Sequence, residues 1–354
     1  MTDGDLSYDD VNDAIMYRVY EGGHWSEDYT LYNGAAGNVK GLSAAMMEDG
    51  TAAVAYTLDS KTEHENPAYG YETVCALIDG DNDVVTDIRL TNNDSADRNP
   101  QIAVVDFGID EGERFVVGWH NATRKGISDI KLAAIDSAGK IDNSFIDSIS
   151  SVNENSAVKI SDNFRFVKGE NLSLNDLSII WVEPTLEYND ELNKNAENDC
   201  IKAVKFMTDE GGKIYLTAAL NVATMDDYTL IDHLDAYSGG TNSVNAVLLC
   251  SSYIGELEDH GGIYTVDSIS SMKYASAVYE NNIKVDDIYI NYPEIKNGFR
   301  LPLRFTVTNM GIEPIDTISI NLQPDKVTEI FEKLMLLPNQ TVVLNIDYNV
   351  PDEA

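Results

Sequence analysis

The sequence predicts an all-β protein whose larger part is a β-propeller. The first observation is an apolar strand that recurs along the chain, and its copies are Ile15–Tyr20, Thr73–Ile78, Ile130–Ile135 and Ile201–Phe206. The copies begin 58, 57 and 71 residues apart. Such a period fits a small repeated sheet, and sheets that repeat radially and pack face to face form a propeller.

The second observation is a tight turn after each copy that combines an acidic residue with glycine. These turns are Glu21–Gly23, Asp79–Asp81, Asp136–Gly139 and Asp209–Gly212. Glycine accepts the positive φ angles of tight hairpins because it has no Cβ. Each copy is therefore predicted to be the third strand of a sheet and to lead into a fourth.

The third observation is a large aromatic residue at the end of each predicted second strand. These strands are Thr51–Tyr56, Arg114–Trp119 and Asp176–Trp181. Their near-constant place in the repeat predicts that Tyr56, Trp119 and Trp181 occupy one core layer. First strands around Leu42, Ile102 and Val158 complete each four-stranded antiparallel sheet.

The repeats predict four full blades and half of another within residues 1–281. The blades are a partial one at 1–34 and full ones at about 35–92, 93–151, 152–226 and 227–281. The last has its strands at 228–236, 242–251, 263–268 and 273–279. The chain enters directly on a third strand, which predicts that the propeller is truncated and that upstream strands are missing.

Residues 282–354 predict a separate small immunoglobulin-like β-sandwich. Alternating apolar residues indicate strands at 283–290, 301–308, 315–322 and 341–348, with a short helix at 325–334. Several short alternating strands separated by turn residues are typical of such sandwiches.

Composition indicates a folded, strongly acidic protein. The chain has 354 residues, 43% of them hydrophobic, and 60 Asp and Glu against 24 Lys and Arg give a net charge of −36. That charge disfavours nucleic acid and anionic membrane surfaces as partners. Cys75, Cys200 and Cys250 are too scattered for a disulfide framework or a zinc site, and each is predicted to be a small buried apolar side chain.

Two parts of the chain resemble known families. The segments Phe305–Gly311, Ile318–Ile320, Leu337–Thr341 and Tyr348–Pro351 resemble the bacterial immunoglobulin-like modules of CARDB type. The segments Ile15–Ser26 and Arg89–Asn93, with Asn99 and Pro100, are similar to propeller repeats in very large secreted or wall-anchored proteins of gut clostridia. The resemblance implies an extracellular or cell-surface location in a bacterium and other domains in a larger parent chain. The resemblance assigns no catalytic residues to this sequence.

In a propeller, loops from second to third strands emerge on one face, and here they are long, acidic and rich in tyrosine. They span 59–71, 120–128, 183–199 and 252–262. Carboxylates, amides and aromatic rings on one face suit a glycan ligand. The predicted ligand-binding residues are Asp59, Tyr69, His120, Asn121, Glu183, Tyr188, Asp190 and Tyr253. The alternative is that these loops are merely solvated surface segments.

Asp79, Asp81 and Asp83 have the spacing that begins a calcium-binding loop. An EF-hand is excluded, because no glycine follows the third acid and Leu90 stands where the twelfth ligand would be. The segment predicts either a partial calcium site completed by water or a plain hairpin turn, so calcium is the one cofactor considered.

No pattern in the sequence predicts a catalytic centre. The five histidines show no paired metal-ligand spacing, and the chain has no nucleophile elbow or phosphate-binding loop. The sequence therefore predicts a non-catalytic binding or adhesion module that recognises a glycan or a surface protein, with the C-terminal domain as spacer. Two alternatives stay open: a polysaccharide-active hydrolase or lyase that uses carboxylates of the loop face, and a purely structural stalk.

Overall fold

The computed structural model is all-β, as predicted. It describes residues 13–34, 38–59, 70–79, 84–108, 111–123, 128–150, 163–169, 171–189, 194–208, 212–225, 229–239, 242–259, 264–279, 283–290, 300–309, 311–322, 327–338 and 340–349. These residues contain strands and one short 3-10 turn. No helix in this part of the chain is long and apolar enough to cross a membrane.

The chain divides into two compact units. The first comprises residues 1–203 and 221–276, and the second comprises residues 204–220 and 277–354. Each is described separately below.

Four short strands open the first unit: β1 (Ile15–Tyr17), β2 (Tyr20–Glu21), β3 (His24–Trp25) and β4 (Tyr29–Tyr32). The pair β1–β4 and the hairpin β2–β3 are both antiparallel. Gly22 and Gly23 take positive φ angles of 59° and 89° in the hairpin turn, as the predicted turn requires.

Sheet I is a four-stranded antiparallel meander with strand order β5-β6-β7-β8. Its strands are β5 (Asn38–Met46), β6 (Ala52–Asp59), β7 (Tyr71–Ile78) and β8 (Val84–Arg89). Strands β6 and β7 are the predicted second and third strands, each extended by two or three residues.

Sheet II repeats this arrangement with strand order β9-β10-β11-β12. Its strands are β9 (Ala96–Asp106), β10 (Glu113–Ala122), β11 (Ser128–Ile135) and β12 (Ser148–Ser150). Strand β10 continues past Trp119, so the predicted loop at 120–128 begins later than expected.

Sheet III has the order β13-β14-β15-β16, with β17 paired to β15. Its strands are β13 (Phe164–Lys168), β14 (Leu177–Asn189), β15 (Lys194–Thr208), β16 (Ile214–Leu216) and β17 (Leu220–Thr224). The first strand was expected around Val158, and within the described residues it lies at 164–168. The segment predicted as a loop at 183–199 is mostly strand.

Sheet IV consists of β18 (Thr229–Ser238), β19 (Ser243–Asp259) and β20 (Tyr264–Val278), in that order. The sequence predicted separate strands at 263–268 and 273–279, and that prediction is wrong. The intervening Ile269–Met272 segment has neither glycine nor proline to interrupt the extended backbone, so both pieces form one long strand.

Besides residues 204–220, which include the end of β15 and all of β16, the second unit contains the C-terminal strands. These are β21 (Ile283–Ile290), β22 (Arg300–Asn309), β23 (Ile318–Leu322), β24 (Val327–Phe331) and β25 (Thr341–Asn349). They form the sheet β21-β22-β25 and the pair β23-β24. One apolar cluster joins Leu303 and Phe305 of β22 to Ile318 of β23 and Leu344 of β25.

The helix predicted at 325–334 is wrong, because residues 327–331 form β24 and pair with β23. Three of the five residues, Val327, Thr328 and Ile330, are β-branched and lose side-chain freedom in a helix. Pairing with β23 supplies backbone hydrogen-bond partners that an isolated short helix would not retain.

The core of the first unit lies between sheets that pack face to face. Ile15, Leu31 and Tyr32 of the N-terminal strands cover one face of sheet I around Tyr56. The other face of sheet I packs on sheet II, where the cluster includes Trp119. Sheet II approaches sheet III at Gly118. A Cβ at this position would lie 3.0 Å from Cζ of Phe166 in sheet III.

The predicted core aromatics are buried, with Tyr56 and Trp119 in separate core clusters. Tyr56, Trp119 and Trp181 retain 1%, 6% and 0% of their surface exposed. Full burial of a side chain of this size contributes several kcal/mol to the free energy of folding. The three cysteines are also buried and unpaired by disulfides, as expected, and burial raises the pKa of the Cys75 thiol to about 12.

The first strands of the four sheets lie side by side. Strand β5 packs on β9, β9 on β13, and β13 on β18. Meanders whose first strands adjoin in sequence order have the arrangement of propeller blades. The beginnings of β5, β9, β13 and β18 therefore converge at one end of the unit.

Candidate functional site

A basin of about 470 Å³ lies where these first strands converge. Its lining residues come from all four sheets and are Lys40, Gly41, Tyr71, Arg98, Asn99, Asn163, Arg165, Asp232 and His233. We call this set the basin. Its volume is within the range of small-molecule sites, which are about 300 to 1,000 Å³.

The backbone of three first strands is irregular at the basin. The pairing register shifts between Lys40 and Leu42 in β5 and between Ile231 and His233 in β18. In β9 the shift lies opposite Trp119, where Asn99 has a φ of 49°. A bulge places an extra residue in one strand and redirects nearby side chains, and bulges are common beside functional sites.

Gly41 is the bulged residue of β5, and its φ is +75°. A Cβ at this position would lie 3.3 Å from Cδ of Pro100 in the neighbouring strand β9. Glycine is therefore required both by the left-handed backbone and by the close approach of the two first strands. This contact fixes the wall of the basin between Lys40 and Arg98.

Two guanidinium groups of the basin are held by contacts within the protein. The Cζ atom of Arg98 lies 4.4 Å from the centroid of the Tyr71 ring. The Nη1 atom of Arg165 donates to the backbone carbonyl of Phe164 at 2.7 Å. A stacked guanidinium retains donors at its edge, because the ring contact uses only its face.

The side chain of Asn163 connects β13 to β18. Its Oδ1 atom accepts from the backbone N–H of Leu234 at 3.3 Å, and its Nδ2 atom donates to the carbonyl of Asp232 at 3.5 Å. Because the amide bridges two sheets, it sets their spacing at the floor of the basin.

Basic side chains are concentrated at the basin of an acidic protein. Among the described lining residues, Lys40, Arg98 and Arg165 carry positive charge and Asp232 carries negative charge. Three of these nine residues are Lys or Arg, although the whole chain has 24 in 354 residues. The described lining is thus rich in basic side chains compared with the chain as a whole.

Next to the basin lies a second group of polar side chains that is closed to solvent. Asp97 is fully buried and accepts from Nε1 of Trp119 at 3.0 Å and from Nδ2 of Asn121 at 2.6 Å. In sheet III, Glu183 accepts from Nε1 of Trp181 at 3.2 Å. We call these five residues the buried polar layer.

The chemistry of the buried polar layer is structural. Burial raises the pKa of the Asp97 carboxyl above its ordinary value of 3.8, although its hydrogen bonds favour the charged form. Indole and amide donors satisfy the carboxylates, as buried polar groups require. The layer thereby anchors the core tryptophans of sheets II and III.

The predicted ligand-binding residues fall in several environments. Asp59, His120, Asn121 and Glu183 are 5%, 8%, 6% and 2% exposed. Asn121 and Glu183 belong to the buried polar layer, and Asp59 ends β6 with its Oδ1 buried and without a hydrogen-bond partner. These four side chains are not in the lining of the basin.

The other predicted ligand-binding positions give no side-chain geometry. Tyr188 lies in β14 and Tyr253 in β19, and their side chains are outside the described residues. Tyr69 and Asp190 also lie outside them. Their roles stay predictions from the sequence.

The predicted calcium segment is described only at Asp79, which follows β7, whereas Asp81 and Asp83 lie outside the described residues. Within the described ranges, no group of three or more His, Cys, Asp or Glu side chains is arranged to hold a metal ion.

A second cavity of about 400 Å³ lies at the hairpin end of sheet II. Arg114 in its lining is paired with Asp142 at 2.5 Å and with Glu111 at 2.8 Å. Asp136 accepts from the backbone N–H groups of Ala138 and Lys140 at 3.0 and 2.8 Å. These charged groups of the cavity thus have partners within the protein.

Sequence reasoning missed most of the basin. The sequence places Arg98 only at the edge of a predicted loop, and no motif singles out Lys40, Arg165 or His233. The available signal was the recurrence of a basic side chain near the start of successive first strands, in a chain that has few basic residues.

Comparisons with known proteins give remote likenesses only. No family model and no curated protein matches the chain. An α-L-arabinofuranosidase of Fusarium graminearum has a TM-score of 0.41 at 12% identity, over 87% of this chain and 93% of that one.

Two further solved structures are similar at the same level. An α-L-arabinanase of Penicillium chrysogenum has a TM-score of 0.39 at 11% identity, over 87% of this chain and 93% of the other. A protein of unknown function from Dyadobacter fermentans has a TM-score of 0.36 at 10% identity, over 88% and 91% of the two chains. Similarity at this level does not indicate the activity of this chain.

Proposed function

We propose that the chain is a non-catalytic binding module that recognises a glycan through the basin. The observation that carries the proposal is the convergence of first strands from four sheets on one concave site. The site offers amides from Asn99 and Asn163, the ring of Tyr71 and charged donors from two arginines. Convergent hydrogen-bonding groups beside an aromatic ring are suited to the hydroxyls and apolar faces of sugar rings.

The arrangement of carboxylates favours binding over hydrolysis. Hydrolysis of a glycosidic bond generally uses two carboxyl groups that flank the bond, separated by about 5 to 10 Å. Among the described lining residues, Asp232 is the carboxylate of the basin, and it accepts from the hydroxyl of Ser251. Asp97 and Glu183 are engaged with the core tryptophans. We therefore place the polysaccharide-active hydrolase or lyase second to the binding module.

The wider setting belongs to the same proposal. The first unit represents four blades and part of another, and the C-terminal strands form an immunoglobulin-like spacer. The protein acts outside a bacterial cell or on its surface, as part of a larger chain, and the module contributes to adhesion. This setting is supported by the all-β architecture together with the family resemblances of the two segments.

A glycan-array screen of the purified chain tests the proposal. The wild-type chain and the basin variant Tyr71→Ala are applied to the same array, in calcium and then in chelator. We expect binding to one glycan class by the wild type and loss of that binding in the variant. Binding that disappears in chelator would support the partial calcium site at Asp79.

Two outcomes contradict the proposal. Retention of binding by the Tyr71→Ala variant, with its folding verified by circular dichroism, would locate the glycan elsewhere. No binding to any glycan in either condition would favour a protein ligand or a structural stalk.

A further inference from the structure

We infer that the glycan recognised at the basin is anionic and that a carboxylate or sulfate group of the sugar binds between Arg98 and Arg165. This inference rests on the proposed function and adds the chemical class of the ligand.

The basin gathers cations from three different sheets. Lys40 lies on β5, Arg98 on β9 and Arg165 on β13, and all three line the same cavity. Like charges placed together repel one another, so the arrangement costs free energy unless an anion offsets it. Among the described lining residues, Asp232 supplies one negative charge against these three cations, so the described lining favours an anionic ligand.

The net charge of −36 does not cancel this local field. At physiological ionic strength the Debye length is about 8 Å, so exposed carboxylates farther away are largely screened. Arg98 and Arg165 are half-buried, and their field within the basin is screened less than that of the exposed acids. A bound anion therefore experiences chiefly the charges that lie within about 8 Å of it.

The two arginines are positioned before a ligand arrives. Arg98 is stacked on Tyr71, and Arg165 is held by the carbonyl of Phe164. A planar guanidinium matches the two oxygens of a carboxylate or sulfate group, and a fixed one loses little conformational entropy on binding. Bulges also lie next to Arg98 in β9 and next to Lys40 in β5.

The remaining lining groups favour a sugar over an acidic peptide. A sugar offers hydroxyl groups that both donate and accept, together with an apolar ring face. The lining contains the ring of Tyr71, and the amides of Asn99 and Asn163 carry both donors and acceptors.

Binding of matched charged and neutral oligosaccharides tests the inference by isothermal titration calorimetry. The probes are tetragalacturonate, its fully methyl-esterified form and a sulfated chondroitin tetrasaccharide, with poly-glutamate as an acidic peptide. We expect tetragalacturonate or the sulfated probe to bind at least about tenfold more tightly than the neutral ester, since a charge-assisted hydrogen bond contributes that much or more. The acid that binds better identifies the group, carboxylate or sulfate.

Variants of one strand provide the controls. Arg165→Gln should weaken binding of the preferred acidic probe by about tenfold or more, whereas Arg165→Lys should retain part of the affinity because it keeps the charge. Lys168→Gln removes the same charge from the exposed far end of β13 and should leave the affinity unchanged. Equal losses in Arg165→Gln and Lys168→Gln would overturn the inference, since the effect would then be that of net charge.

The outcomes separate this inference from the proposed function. If neutral oligosaccharides bind at the basin as tightly as acidic ones, the glycan-binding function stands and the anionic class is wrong. If poly-glutamate binds and no oligosaccharide does, or if nothing binds, both are wrong.

Discussion

The basin and the buried polar layer occupy the same end of the sheets but use polar side chains in opposite ways. In the buried polar layer, Asp97 accepts from Trp119 and Asn121, and its carboxylate is fully enclosed. In the basin, Lys40 and Asp232 are exposed, and among the described lining residues cations outnumber carboxylates three to one.

The difference shows which polar residues stabilise the fold and which are available to a ligand. A carboxylate surrounded by indole and amide donors is satisfied within the protein, and removing either partner costs stability. A half-buried guanidinium at a cavity rim stabilises the fold little. Substitutions in the two regions should therefore separate stability from binding.

The largest stability effect is expected from Trp181→Ala. The side chain is fully buried, and its loss also removes the indole donor to Glu183, so the free energy of unfolding should fall by about 3 to 5 kcal/mol. Urea titration followed by circular dichroism measures the change. The control is Trp25→Ala, since Trp25 is 63% exposed and should cost about 1 kcal/mol or less. A similar decrease in the free energy of unfolding in both variants would show that Trp181 is not a core residue.

Asp97→Asn should have the next largest effect. In either orientation, the NH₂ group of the new amide faces a hydrogen-bond donor. In one orientation it faces Trp119 and Asn121, and in the other it faces Asn93. The expected cost is about 1 to 3 kcal/mol, the penalty for leaving a buried donor unsatisfied.

The stability difference between wild type and Asp97→Asn should also depend on pH. Because burial raises the pKa of Asp97 above 3.8, the native state binds its proton more readily than the unfolded state. The contribution of this group is present at low pH and is lost as the pH rises through the native pKa. The stability advantage of wild type over Asp97→Asn should therefore shrink from about pH 4 upward. An advantage that grows with pH would contradict the raised pKa.

Gly41→Ala tests the bulge at the edge of the basin. A left-handed backbone costs a residue with a Cβ about 1 to 2 kcal/mol, and the new Cβ would also press on Pro100. Gly212→Ala is the matched control, because Gly212 has a φ of +80° and a Cβ there would meet no atom within 4 Å. Gly41→Ala should cost more than Gly212→Ala and also weaken ligand binding. Equal costs would show that the first strands tolerate a wider spacing.

The smallest stability effect is expected from Lys40→Gln. Lys40 is exposed at the rim, so the free energy of unfolding should change by about 0.5 kcal/mol or less. Affinity for the acidic oligosaccharide should nevertheless decrease, and the decrease should be smaller at about 1 M salt than at about 0.15 M, where screening is weaker. A loss of stability without a loss of affinity would place Lys40 among the structural residues.

The strands and turns of the sheets could be predicted from the sequence because they depend mainly on nearby residues. Apolar runs ending at Tyr56, Trp119 and Trp181, and glycine turns such as Gly22–Gly23, depend on nearby residues alone. The continuation of β10 through Asn121 depends instead on a partner distant in the chain, Asp97, which makes a polar residue stable inside the sheet. A strand end rich in polar residues has the same local pattern as a loop, so the sequence predicted a loop there.

The basin could not be assembled from the sequence. Lys40 and Arg165 belong to sheets I and III and meet only because first strands pack side by side. Bulges then decide which side chains reach the cavity, and a bulge at Asn99 or Asp232 has no distinct local signal. Basic residues at the starts of successive first strands were a visible clue, but their convergence is a tertiary property.

A crystal structure of the chain with its preferred acidic oligosaccharide would locate the ligand. We expect a sugar in the basin, with its acidic group between the guanidinium groups of Arg98 and Arg165 and the buried polar layer unchanged. A sugar bound at the hairpin end of sheet II, or one that displaces Trp119 or Trp181 from its carboxylate, would contradict this expectation.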